Sequence, residues 1–350
     1  MAFINGIGCV SPQRTWDRGN FPGEVQEYNT RMIQCMEPEV DTGLDDKYLR
    51  RMNRLLRLGW TAAKLCLDDA GNIRPDAVIT GSGWGSVQDS EKFLLSIYKN
   101  KENFLPPTPF IQSTHNALGS QIAILLESYH YNMAYAHSSF AFEHALQDSL
   151  LRLRNGESRN VLAGGFDEIT ANHFTLFDRA GWWRKEAISN LELLKTREDG
   201  TICGEGFGFF FLQNERNENT YAELGEVETQ SVIKINATDS QINKRLKETK
   251  IDWVFAGMNG DMRYDHLYGD AISKMFPEGV NIAAYKHLCG ESLTSSAFAV
   301  WAAANAIRKQ HVPDIFRIKS VRETKEIRNI LIFNHFKGKH VSLILLSKPQ

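Results

Sequence analysis

A chain of 350 residues with 42% hydrophobic and 23% charged positions has an ordinary globular composition, and it is long enough for one large or two closely packed domains. Its 40 basic and 42 acidic residues leave a net charge of −2, which argues against a general nucleic-acid-binding surface. Five scattered cysteines (Cys9, Cys35, Cys66, Cys203, Cys289) show no CxxC or His/Cys ligand spacing, so neither a zinc site nor a disulfide framework is expected, and no metal or cofactor.

The chain opens on an apolar strand pattern, Phe3 to Val10, with no basic segment before it. The expectation is no signal peptide and a cytoplasmic protein with reduced thiols. A helix pattern follows over Met52 to Ala70, then a short buried strand within Arg74-Pro-Asp-Ala-Val-Ile-Thr-Gly-Ser-Gly. Arg50, Arg51, Arg54 and Arg57 fall near one helical stripe, which reads as a solvated face. Asn132 to Ala136 reads as a strand, and a helix pattern from Phe140 to Arg154 is closed by Gly156. A strand that breaks sharply into a helix is where many acyl-transferring enzymes seat a nucleophile, because the turn exposes the side chain and the helix N-terminus favours negative charge. Here the turn offers His137, Ser138 and Ser139, and no cysteine lies between Leu67 and Ile202. A serine before a helix reads as an N-cap ahead of a nucleophile. His137 and His144 read as packing ahead of a base. The strand after Glu157 and the closing strand Gly208–Leu212 complete the first half. Gly204-Glu-Gly-Phe-Gly precedes a strand rather than a helix, so its glycines read as permitting close backbone approach, not phosphate binding. Most of the abundant aromatics, including Phe104, Phe110, Phe140, Trp182 and Phe209 to Phe211, read as core.

Past the polar stretch Asn214 to Thr220 the same order of signals returns. A helix pattern (Gln241–Thr249) precedes strand Trp253–Ala256 and the turn Gly257-Met-Asn-Gly-Asp; strand Asn281–Tyr285 leads through Lys286-His-Leu-Cys-Gly-Glu to helix Thr294–Lys309. Glu326-Ile-Arg-Asn-Ile-Leu-Ile matches Glu157-Ser-Arg-Asn-Val-Leu-Ala, and Val341–Leu346 closes the half. The apolar helix pattern within it, Ala297 to Ile307, is too short to span a bilayer. The expected fold is α/β with mixed sheets, in two duplicated halves, 1–215 and 216–350, packed as a five-layered body. Asn259 and Asp261 read as satisfying the backbone of their turn, ahead of a functional role in holding Glu291 or water. Glu291 and Lys286 read as a buried ion pair, and Cys289 as packing.

Several segments in this order resemble the ketosynthases, the condensing enzymes of fatty-acid and polyketide synthesis. They are Ile4-Asn-Gly-Ile-Gly-Cys-Val-Ser-Pro, Ala62 to Gly71, Thr108-Pro-Phe-Ile-Gln through Asn116-Ala-Leu-Gly-Ser-Gln-Ile-Ala, Ala163-Gly-Gly, Gly204-Glu-Gly-Phe-Gly and Lys286-His-Leu-Cys-Gly-Glu. The resemblance implies a thiolase-like fold, duplicated βαβαβαββ halves in an αβαβα arrangement. It also implies three catalytic positions, a cysteine and two histidines, which fall here on Ser139, Asn259 and Glu291, with only the supporting lysine kept as Lys286. Replacing a thiolate and two imidazoles removes the nucleophile and the oxyanion donors, so ordinary condensation is not expected. The chain is similar to chain length factors, the cysteine-free subunits that pair with an active ketosynthase, and among them to those of aryl polyene and flexirubin-type pathways. The partners so implied are an active ketosynthase, as a heterodimer through the strand around Met133–Ala136, and an acyl carrier protein. His137, Ser138, Phe140, Phe110, Thr114 and Asn116 are the implied tunnel or interface residues. The rival expectation is an atypical acyltransferase or decarboxylase using Ser139 or His137 with Glu291.

Overall fold

The computed structural model describes residues 1–17, 21–232 and 249–350. The helix expected at Gln241–Thr249 lies, up to residue 248, outside the described residues. Strands β1 (Ala2–Val10), β2 (Ala77–Ser82), β3 (Tyr131–Ala136), β4 (Asn160–Asp167) and β5 (Gly206–Gln213) stand side by side in the order β1-β5-β4-β2-β3. Strands β6 (Ala222–Val232), β7 (Trp253–Ala256), β8 (Asn281–Ala284), β9 (Asn329–Phe336) and β10 (Lys339–Ser347) stand in the order β6-β10-β9-β7-β8. The second order is the first shifted by five. Directions match as well: β2 is parallel to β3 and β4, β7 is parallel to β8 and β9, and the other neighbours within each half are antiparallel. Ala2–Ile4 of β1 pair with Ala222–Leu224 of β6, so the halves share one eleven-stranded sheet. Its last member is the short strand Arg317–Lys319, which covers the outer edge of β8. Among the described residues nothing covers the outer edge of β3.

Alternation along the strands builds the layers. Helices α1 (Arg54–Asp69), α2 (Val87–Asn100), α3 (Ala117–Leu125), α4 (Ala141–Arg154), α5 (Ala171–Arg179), α6 (Met262–Met275) and α7 (Ser296–Lys309) supply the rest. Phe210 and Leu212 of β5 and Ile330 and Ile332 of β9 face α4 and α7 in a shared central core. The intervening Phe209 and Phe211 pack on α1 and α3, and Leu331 and Phe333 pack on α6. The result is helix, half-sheet, helix, half-sheet, helix. α7 is buried from Ser296 through Ile307, and its alanines let both halves of the sheet approach it closely. Among the described residues no helix is long and apolar enough to cross a membrane.

Three readings need correction. Arg54 does not belong to a solvated face: its guanidinium grips the fully buried Glu205 at 2.6 and 3.0 Å, while Glu205 also accepts the backbone N–H groups of Cys35 and Ile169. Two of the aromatics are not core, because Phe104 is 99% exposed and Phe110 is exposed as well. The serines after β3 do not cap the following helix, as described below. All five cysteines are free and buried, and burial raises every thiol, Cys9 to about 12, so none is poised as a thiolate.

Candidate functional site

The turn between β3 and α4 is held by a histidine. His137 Nδ1 accepts the backbone N–H groups of Ser139 (3.2 Å) and Phe140 (3.1 Å), the donors that a serine cap would otherwise take. The ring must therefore be unprotonated at Nδ1. Burial lowers its pKa, and the nearby His340 and His144 add to the effect. Its ring stacks on Phe140 and meets the rings of His144 and His340 edge-on. With the backbone satisfied, Ser139 is free to point elsewhere. It is 3% exposed, and its Oγ lies 2.8 Å from Nδ1 of His340 on β10; which atom donates depends on the imidazole tautomer. Ser138 is exposed.

Asn259, Lys286 and Glu291 converge at the C-terminal ends of β7 and β8. Lys286 Nζ donates to both Glu291 carboxylate oxygens at 2.9 and 2.8 Å, and Asn259 Nδ2 donates to Oε2 at 2.6 Å. Each side chain is fixed by its loop. Asp265, in the first turn of α6, accepts the N–H groups of Asn259 and Gly260, and Thr201 donates to the Asn259 carbonyl at 2.6 Å. Asp261 accepts the Arg263 N–H and caps α6. Glu291 is held through its backbone: its N–H donates to Ile202 and its carbonyl accepts from Gly204. This contact demands glycine. A Cβ on Gly204 would lie 2.0 Å from the Cys289 carbonyl oxygen, and Gly290 takes φ = 71°. Gly204→Ala is expected to cost at least about 3 kcal/mol in urea unfolding, since rigid backbone, not a yielding side chain, opposes it; a loss under 1 kcal/mol would refute the close-approach account.

The chemistry of this arrangement is that of a strut. A carboxylate accepting three hydrogen bonds, two of them charge-assisted, has no proton to offer an enolate oxygen and repels its charge. The structure thus joins three of the four predicted positions and gives Ser139 a different partner.

Other residues here were not foreseen. Glu143, in the first turn of α4, is fully buried; Ser342 donates to its Oε1 at 2.9 Å, and Oε2 has no partner. Burial raises its pKa, against the lowering effect of its hydrogen bonds and of the Lys286 charge. The β9–β10 hairpin closes the outer side of the site. Lys337 Nζ sits 3.4 Å from the Trp182 ring centroid, and Phe336 packs on the same indole. Burial pushes this amine down to about 8, with Arg263 adding to it. Between Glu291, Asn259, Trp182, His335 and Lys337 the space for water centres is ≈ 20 Å³, room for about one water.

His335 lies flat on Tyr268 with its Nε2 unpartnered, and burial pushes its pKa down to about 3. A base whose folded pKa lies below its unfolded value of about 6.5 gives stability that is complete above that pH and is lost as pH falls toward the folded value. Buried His287 (about 4) acts in the same direction, whereas Glu168 (about 7) and Asp265 (about 6), raised by burial, act oppositely. Comparing variants isolates one group. Between pH 7.5 and 5, His335→Phe is expected to lose about 2 kcal/mol less stability than the parent chain. Parallel urea midpoint curves for the two proteins would contradict this.

Phe110, Thr114 and Asn116 are exposed on the segment that leads into α3. α3 lies beside β3, where Asn132 Nδ2 donates to the Gly119 carbonyl. Among the described residues no group of three His, Cys, Asp or Glu side chains is arranged to hold a metal.

A family model, the N-terminal domain of beta-ketoacyl synthases, matches residues 4–218. No curated protein matches the sequence. Among solved structures, the ishigamide ketosynthase/chain length factor superposes with a TM-score of 0.79 at 18% identity, covering 100% of this chain and 99% of that one. A type II polyketide synthase acyl-carrier protein in complex with its ketosynthase bound to the hexaketide (AntDE:AntF) gives 0.75 at 17%, covering 99% of each chain. The ketosynthase ApeO in complex with its chain length factor ApeC, from Xenorhabdus doucetiae, gives 0.74 at 14%, with 99% and 98% covered. At these identities the likeness establishes the thiolase-like ketosynthase fold.

Proposed function

The chain belongs to the beta-ketoacyl synthase family, and on that premise we propose that it is a catalytically degenerate subunit of the chain length factor type. In this reading its two halves, 1–215 and 216–350, form one body that pairs with an active beta-ketoacyl-ACP synthase in polyketide or aryl-polyene-like chain elongation. The observation that carries the reading is the Glu291 carboxylate locked by Lys286 and Asn259, where the resemblance to ketosynthases implies an imidazole. Ser139 in place of the implied thiol, and the ≈ 20 Å³ left beside Glu291, support it. The named neighbours include a ketosynthase with its chain length factor and a ketosynthase with its acyl-carrier protein, which supports those two partners. Co-expression with the cysteine-bearing ketosynthases of the same genome, followed by native mass spectrometry, is expected to give a 1:1 complex with one of them, and condensation that needs both chains. A chain that remains alone at micromolar concentration beside each candidate would end the proposal.

One observation favours a second reading, that of an acyltransferase acting through Ser139. The hydroxyl stands at hydrogen-bond distance from His340, the pairing that activates a serine. Under the leading reading, incubation with acyl-CoA or acyl carrier protein leaves the intact mass unchanged. An acyl adduct that disappears in Ser139→Ala would establish the second reading instead.

A further inference from the structure

Three half-buried histidines surround the turn that ends β3. His137 touches both of the others: its ring centroid lies 5.6 Å from that of His144 on α4 and 5.2 Å from that of His340 on β10. Phe140 packs against all three rings. Only His137 holds the backbone. Its Nδ1 accepts the N–H groups two and three positions ahead, those of Ser139 and Phe140, a pattern in which an Asx side chain usually serves. An imidazole does this only while Nδ1 carries no proton, and an imidazolium has no acceptor at all. With the turn so held, Ser139 Oγ reaches His340 Nδ1 at 2.8 Å. His340 sits at φ = 46°, in the left-handed region that is uncommon for a residue other than glycine.

Burial, then His340, then His144 oppose a proton on the His137 ring, and among the described residues no carboxylate offsets them. The carboxylates of α4 are engaged elsewhere: Glu143 accepts from Ser342, and Asp148 from the Tyr131 hydroxyl. On the β9–β10 hairpin, Lys337 lies over Trp182 and Lys339 is exposed. β3 contributes Tyr135, edge-on to His144. Acid therefore charges a group of rings that has no counter-ion, and the ring with most to lose is the one that holds the turn.

We propose that this cluster is an acid switch: a proton on His137 releases the N–H groups of Ser139 and Phe140, the ring swings away from His340 and His144, and Ser139 leaves His340 to cap α4 as a serine ordinarily does. The switched element is the turn at the end of β3, the strand whose outer edge is uncovered among the described residues. The inference needs only this turn and stands independently of the partnership proposed above. His137 binds its proton less readily in the folded chain than in the unfolded one. The closed turn is therefore complete above the ordinary imidazole value of about 6.5 and is lost as pH falls through the folded value. In the full chain labelled with 15N-histidine, the His137 ring is expected to titrate below about 6.5, and the His340 ring signal to move with the same midpoint. Hydrogen exchange at the Ser139 and Phe140 amides, corrected for intrinsic rate, should rise at least about tenfold between pH 7.5 and pH 5. His137→Asn keeps an acceptor at that position and cannot titrate, so it should hold both amides protected at pH 5. His144→Phe removes one opposing charge and should raise the His137 midpoint. A midpoint at or above 6.5, protection unchanged to pH 5, or the same loss of protection in His137→Asn would overturn the proposal. Loss of protection along β4 at the same midpoint would mean general unfolding, and would overturn it as well.

Discussion

Lys286→Met is expected to destabilise the chain by about 3–5 kcal/mol at pH 7, the usual cost of removing one partner of a buried ion pair. The two side chains are 1% and 7% exposed, and the ammonium contacts both carboxylate oxygens. Without it, Glu291 keeps only the Asn259 amide and must either carry an uncompensated buried charge or take up a proton. The double variant Lys286→Met with Glu291→Leu removes both charges and should recover at least half of the loss, because replacing a whole buried pair by apolar groups is often neutral. Urea denaturation of the three proteins decides the matter; a single variant within 1 kcal/mol of the parent would show that the pair carries no such load. If the pair is a strut, the folded double variant should also support condensation by the partner as well as the parent chain does.

The duplication was legible because burial on both faces leaves a short, continuous apolar run in the strands of each half. Phe209, Phe210 and Phe211 are all apolar because β5 is covered on both faces, and the same holds for Leu331, Ile332 and Phe333 in β9. The Lys286–Glu291 pair was legible because both residues flank one short loop, whereas Asn259, read first as satisfying its own turn, also donates to Glu291. What escaped depends on contacts between distant segments. Ser139 and His340 are 201 positions apart and meet only because β10 lies across the start of α4. No spacing in either segment announces that. Arg54 looked like one of four surface arginines, since the burial of Glu205 is a property of the packed glycine turn rather than of either sequence. His137 escaped for a chemical reason: caps are looked for among serine, threonine and the Asx residues, whereas a neutral imidazole Nδ1 supplies the same acceptor.

Met133→Lys is expected to abolish the proposed pairing with a ketosynthase, weakening the complex about 100-fold or more, while leaving the isolated chain within about 1 kcal/mol of its parent stability. The argument begins from an asymmetry between the halves. β3 and β8 occupy the same place in the duplicated strand order, each beside the central parallel strand of its half. The chain covers β8 itself, with Arg317–Lys319, but among the described residues it leaves the equivalent edge of β3 open. An uncovered edge carries unpaired N–H and carbonyl groups, and proteins normally blunt such edges with charge or proline. β3, Tyr-Asn-Met-Ala-Tyr-Ala, has neither. Met133 on β3, Ile124 on α3, Tyr129 (97% exposed) and Ile111 are all exposed, and large exposed apolar side chains grouped together mark interaction sites. A lysine at position 133 costs the free chain little, because its ammonium reaches water, but a sheet continued across two subunits would have to bury it. Size-exclusion chromatography of the co-expressed pair, with thermal unfolding of the variant alone, separates interface loss from misfolding. A 1:1 complex of parent affinity formed by a well-folded Met133→Lys would place the partner elsewhere.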